Sequence, residues 1–244
     1  MLAAAPAAGG DALDRILNAT AAASGAPLPS RAALIAACRE DLLCSAHRLV
    51  EVLAPGARLV PVAHPDTDTI RWARTRPSLR VEREDRALRI EVLRFGRKIM
   101  QELATAFGQA AAGQPYILDL RQARGGRFAR MLEVAGFFLG PRQAALALVR
   151  AGETTWLDRP APARGPPPAA VRIGAATASA GEVLAALLVA HGGAVLCGVE
   201  PSAGEAALKA VIAVDHDWRL LVERARIEVP GIDLSGGLRP GRGC

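Results

Sequence analysis

The chain has 244 residues, a formal charge of +6 and 51% hydrophobic residues. That length is enough for one sizeable core and a small subdomain, and the hydrophobic content excludes a disordered chain. Arginines alternate with acids between Arg71 and Arg97, and aromatic residues make up only 4%, which excludes a nucleic-acid patch and a stacking platform for single strands. No apolar run reaches 18 residues, so no segment reads as a membrane-spanning helix. Met1–Gly10 is Ala-rich and lacks a basic region. It is too short for an intact signal peptide and reads as a remnant left after signal removal.

In chain order, Asp11–Ala23 and Ser30–Leu53 carry helical apolar spacing, with Ser30 as N-cap. Leu34, Leu42, Leu49 and Leu53 mark the buried side of the second helix, and Ala54-Pro55-Gly56 ends it. Such an apolar helix pair offers a contact for a homo-oligomer. One continuous helix puts Cys38 and Cys44 on opposite faces. A disulfide there needs a break in the helix, so the four cysteines (Cys38, Cys44, Cys197, Cys244) are not expected to form a framework. His64-Pro65-Asp66 reads as a capping turn rather than a base and its orienter.

Leu79–Val81 and Leu88–Leu93 predict a hairpin around Glu84-Asp85-Arg86. Gly96–Ala111 predicts a helix that crosses to a strand at Tyr116–Arg121, a βαβ-like order. A helix at Arg127–Leu139 and a strand at Ala144–Arg150 follow. Arg159–Pro168 holds five prolines and reads as an extended surface loop. His191 precedes Gly192-Gly193 and reads as a carbonyl cap at a helix C-terminus. Cys197 reads as a small core residue in an apolar strand. No Cys/His spacing suits zinc, so neither a metal nor a cofactor is expected. The chain thus divides into a helical segment (1–55), a linker (56–78) and an α/β core (79–244).

Two segments carry chemistry. Thr177-Ala178-Ser179-Ala180-Gly181-Glu182 follows an apolar stretch and opens an Ala/Leu/Val helix. A serine at that turn has helix N-terminal N–H groups beside it, which favour a developing negative charge. Tyr116-Ile117-Leu118-Asp119-Leu120-Arg121 reads as a buried strand and leads into Arg124-Gly125-Gly126-Arg127. Paired glycines at a strand end let backbone N–H groups approach a ligand closely. Ser179 as nucleophile, with Gly125, Gly126 and Ala180 as oxyanion donors, makes an acyl-transfer constellation.

The ordered segments Tyr116–Leu139, Ala176–Gly198 and Lys209–Pro240 resemble the C-terminal processing (tail-specific) serine peptidases. The resemblance covers roughly residues 80 to 240 and implies a crotonase/Clp-protease-like α/β core behind the N-terminal helices. It also implies a polypeptide or peptide C-terminus as substrate and a bacterial cell envelope as location. The region between Leu53 and Leu79 is too short for the PDZ domain that many of these peptidases insert.

That family uses a Ser/Lys dyad, with the lysine in a Gly-Lys pair after the serine helix. Here the pair falls on Gly204-Glu205 when anchored on the downstream Ala210-Val211-Ile212, and the lysine falls on Gly204 when anchored on the upstream Ala194-Val195-Leu196. Lys209 stands where a glutamine is frequent, and Ala190 replaces an acidic residue. The chain has only two lysines, Lys98 and Lys209, against 28 arginines. Arginine keeps its proton, whereas a desolvated lysine can accept one from serine. Lys209, Glu205 and a histidine brought in from the N-terminal part are therefore the candidate bases, and a pairing of Lys209 with Glu205 is the plainer reading. Two functions follow. One is a serine peptidase. The other is a catalytically silent relative that keeps the groove for peptide binding or assembly.

Overall fold

The structure is a computed structural model that describes residues 8–53, 57–62, 77–84, 87–109, 113–160 and 162–242. The His64–Asp66 turn and the Ala54–Gly56 step lie outside the described residues. The chain forms two compact units, Met1–Asp68 with Lys209–Ala225, and Thr69–Leu208 with Arg226–Cys244. A cut at residue 79 therefore differs from the division by contacts, because residues 209–225 group with the N-terminal helices.

The first unit holds α1 (Ala8–Ser24), α2 (Arg31–Cys38), α3 (Leu42–Val52) and β1 (Arg58–Pro61). It also holds most of β9 (Ala207–Ala213) and the start of β10 (Trp218–Glu228). β1 runs antiparallel to β10, with Arg58 opposite Leu221 and Pro61 opposite Trp218. Ser30 caps α2 by accepting from Ala33 N at 3.2 Å. The expected single helix Ser30–Leu53 is broken, because Arg39 and Glu40 take positive φ of 58° and 61°. Asp41 then starts α3, its Oδ1 accepting from Leu43 N at 2.9 Å and Cys44 N at 3.0 Å.

That break overturns the expectation about the cysteines. It brings the Cα atoms of Cys38 and Cys44 to 5.6 Å, and the two form a disulfide. Replacing both by serine is expected to lower stability by about 2 kcal/mol, from the unfolded-chain entropy that so short a loop restores. Urea unfolding checks this, and a change under ~0.5 kcal/mol contradicts it.

Leu13, Ile16, Leu34, Leu49 and Leu53 pack with Ile212, Val214, Leu220 and Val222, and Leu42 lies half-buried against the same core. The leucine face is thus covered inside its own unit, the packing its spacing predicts. Leu49 is fully buried, so Leu49→Ala is expected to cost about 2–5 kcal/mol, a loss of Tm that calorimetry reads.

The second unit is built on a six-stranded sheet of order β11-β8-β7-β4-β3-β2. β2 (Leu79–Glu84) and β3 (Ala87–Val92) form the expected antiparallel hairpin. β3, β4 (Tyr116–Asp119), β7 (Ala170–Arg172), β8 (Val195–Gly198) and β11 (Gly241–Arg242) run parallel. Helices α4 (Ile99–Gly108), α5 (Phe128–Leu139) and α6 (Ala180–Gly192) alternate with these strands, the α/β order that the sequence predicts. Val183–Leu188 of α6 is wholly buried, which is why that helix reads as Ala/Leu/Val with no polar stripe.

β5 (Arg142–Arg150) pairs antiparallel with β6 (Glu153–Arg159). β6 was not foreseen, and Arg159 ends it instead of opening a surface loop. Arg159 is buried and donates to the carbonyls of Leu139 (3.1 Å) and Gly140 at the end of α5. Its guanidinium does the work of a C-cap there. His191 likewise bonds a carbonyl, that of Ala145 in β5 at 3.0 Å. Cys197 is buried in β8, but it is disulfide-bonded rather than a free core thiol.

Candidate functional site

Two turns of the second unit build the site. The first leaves β4. Asp119 is buried, accepts from Arg121 N at 3.0 Å and pairs with the Arg121 guanidinium at 2.6 Å. Burial pushes the Asp119 carboxyl up, and the Arg121 hydrogen bonds and charge more than reverse this, leaving it below the usual carboxylate range. The pair fixes the direction in which residues 121–126 leave the strand. Gly126 then bridges to Phe95, and Phe95 N donates to Gly125 O at 3.2 Å.

The second turn follows β7. Thr177 is buried and its hydroxyl donates to Leu120 O at 2.9 Å. Ala178 N donates to Ala123 O at 3.0 Å. A Cβ on Gly181 would stand 2.3 Å from Ala123 O. Only glycine at that position lets the start of α6 sit so close to the loop that carries Gly125. The two turns are therefore fastened to each other by backbone.

Ser179 stands between them as the N-cap of α6, with φ 52° and ψ −118°. That conformation is strained for a residue with a Cβ and is typical of sharp strand-to-helix turns that present a side chain. Gly125 has φ 117°, and a Cβ built on it would lie 3.5 Å from Ser179 Oγ. One covalent bond further back, the Gly125 Cα is within about 5 Å of that oxygen. Among the described residues, the N–H groups of Gly125, Gly126 and Ala180 find no protein acceptor. Gly125 and Ala180 are buried, and the Ala180 N–H is one of the helix N-terminal donors that have no intrahelical partner.

Glu182 was missed by sequence reasoning as a site residue. It is fully buried. Its Oε2 accepts from Ser179 N at 3.0 Å and from Glu205 N at 2.8 Å. Its Oε1 accepts from Ser202 Oγ at 2.6 Å and Gly204 N at 2.7 Å. Ser202 Oγ in turn accepts from Leu238 N at 2.7 Å. The Ser-x-x-Glu spacing of a capping box was the available signal for the first of these bonds. Nothing local in the sequence signals the other three.

The structure thus brings Ser179, Gly125, Gly126 and Ala180 together, and Glu182 ties the Glu205 backbone to them. Glu205 is half-buried. Lys209 is half-buried in β9 and groups with the first unit. No side chain among the described residues hydrogen-bonds Ser179 Oγ. No three described His, Cys, Asp or Glu residues cluster as a metal site, and no described helix is long and apolar enough to cross a membrane.

Residues 87–233 match peptidase family S41, and the chain belongs to that family. Among solved structures it is similar to the photosystem II D1 C-terminal processing protease, at 19% identity and a TM-score of 0.54, over 79% of this chain. The chain spans about half of that protease, 48% of its length. A lipoprotein from Streptococcus agalactiae is similar over 100% of this chain and 94% of its own, with a TM-score of 0.68 at 12% identity. Identities this low speak for the fold alone. No curated protein matches the chain by sequence.

Proposed function

We propose that the chain is a serine-type peptidase of the C-terminal processing kind, acting on polypeptides with Ser179 as nucleophile. The strained N-cap of Ser179 against Gly125, beside N–H groups without protein acceptors, carries this reading. Ser179 Oγ attacks the scissile carbonyl and yields its proton to a base. The oxyanion that forms takes hydrogen bonds from the N–H groups of Gly125, Gly126 and Ala180. The C–N bond breaks, the amine leaves with a proton, and water hydrolyses the ester. The base is Lys209 or Glu205, both in the stretch after α6. No cofactor takes part.

A disulfide between Cys38 and Cys44 suits an oxidising compartment and supports a place in the cell envelope.

A fluorophosphonate probe tests the reading by labelling the folded chain at Ser179. If Lys209 is the base, Lys209→Ala is expected to slow labelling by ~10²–10⁴ with the fold intact. Lys209→Arg should fail nearly as badly, because arginine keeps its proton. A rate unchanged in Lys209→Ala removes that residue from the mechanism.

The second reading is a silent relative that keeps the groove for peptide binding or assembly. It draws on the lack of any described side chain bonded to Ser179 Oγ. Failure of the wild type to take the probe anywhere between about pH 6 and 10 decides for it.

A further inference from the structure

We infer that Glu182 is a positioning residue that locks the loop at residues 202–205 onto the Ser179 turn. For its catalytic consequence, the inference rests on the peptidase reading above. The observation is a single buried carboxylate whose two oxygens are both fully used. Oε2 accepts from Ser179 N (3.0 Å) and Glu205 N (2.8 Å), and Oε1 from Ser202 Oγ (2.6 Å) and Gly204 N (2.7 Å). All four partners are donors. A helix N-cap needs only the first of these bonds. The other three reach 20 to 23 residues along the chain, so the carboxylate is doing more than closing its own helix.

The bonds have a direction of consequence. Ser179 holds φ 52°, a conformation that persists only when its surroundings over-determine it. The Ser179 N–H is pinned from the α6 side by Glu182. The same carboxylate sets where the loop bearing Glu205 lies. Ser202 passes the arrangement on, accepting from Leu238 N at 2.7 Å, and Ala203 N donates to Thr177 O at 2.9 Å. The serine turn, the loop after α6 and the segment near Leu238 therefore move as one piece or not at all. A low-dielectric site makes each of these charge-assisted bonds stronger than its counterpart at the surface.

Glutamine is the informative substitution. It has the volume of glutamate and loses little packing. Its Nε2 is a donor, however, and whichever way the amide turns it faces a backbone N–H that cannot accept, that of Gly204 on one side or those of Ser179 and Glu205 on the other. If Glu182 served only to fill space, Glu182→Gln would be silent. As a lock, it should fail nearly as completely as Glu182→Ala.

The experiment has two readouts on the folded protein, well below the Tm of each variant. Amide hydrogen exchange at Ser179, Gly204 and Glu205 reads the lock itself. Glu182→Gln is expected to speed exchange there at least ~10-fold while Val183–Leu188 stays protected. The rate of fluorophosphonate labelling at Ser179 is expected to fall by ~10-fold or more, in the limiting rate rather than in probe affinity. Ser202→Ala removes one bond of four and should give intermediate changes in both, which keeps the test available should Glu182→Gln not fold. Exchange unchanged in these variants overturns the lock. Faster exchange with labelling unchanged overturns its role in placing Ser179. A wild type that takes no probe fails the peptidase reading alone, and the exchange comparison still decides the lock.

Discussion

Ser179→Ala is expected to abolish fluorophosphonate labelling and to lower peptide hydrolysis by on the order of 10⁵–10⁶, the scale of losing a nucleophile. The fold should survive, because alanine keeps the Cβ and removes only a half-buried oxygen. The companion variant is Ser179→Gly. At φ 52° and ψ −118° the serine Cβ is strained, by about 1–3 kcal/mol. Glycine relieves that strain, so Ser179→Gly should be as inactive as Ser179→Ala yet unfold at a higher urea concentration. A strained residue whose relief costs all activity is one held in place for function. Labelling of Ser179→Ala at the wild-type rate would assign the probe to another serine and end the argument.

Much of the fold was legible because its signals are local. The hairpin around residues 84–87, the crossing helix before Tyr116 and the helix after Gly126 each follow from apolar spacing bounded by turn residues. The helix opened by Ser179 was legible for the same reason. The break at Arg39–Glu40 was not. Two charged, non-glycine residues in the left-handed region leave no compositional mark, and helical spacing runs on through them. Asp41 was the one clue, a good N-cap in the middle of an apparent helix. The loss of that break hid the Cys38–Cys44 disulfide as well. Arg159 misled in the opposite way. Its place beside five prolines reads as surface, but its guanidinium is buried under carbonyls of α5, a long-range partner that no window reveals.

The site divides along the same line. The closeness of the Ser179 turn and the Gly125-Gly126 loop was legible because backbone geometry is written in the glycines and the helix start. Glu182 was read only as part of a motif. Its role depends on residues 202–205, and only the folded chain brings these to it. The base was harder still. Glu205 or Gly204, depending on the anchoring, stands where the family resemblance places a lysine, and Lys209 groups with a different unit from Ser179. A proton acceptor is defined by distance, and sequence spacing carries little of that information.

Gly125→Ala is expected to lower kcat by ~10²–10³, the usual loss when an oxyanion donor is misplaced, with little change in KM. The argument is steric. At φ 117° an alanine is strained whatever room it has, and its Cβ would meet Ser179 Cβ at 3.2 Å and Oγ at 3.5 Å. Either the loop withdraws its N–H from the oxyanion position or the serine leaves its rotamer. Both spoil the approach of the reacting atoms, and neither requires the core to move. The folding cost should stay near ~1–3 kcal/mol. Gly126→Ala is the harsher change, because its Cβ would lie 2.7 Å from Phe95 N and backbone cannot turn aside as a side chain can. It should lose stability first and activity as a consequence, so Gly125 is the cleaner probe. Labelling and hydrolysis at wild-type rates in a well-folded Gly125→Ala would show that the loop contributes no oxyanion donor. The open N–H groups beside Ser179 would then belong to a binding groove, and the silent-relative reading would gain what the peptidase reading lost.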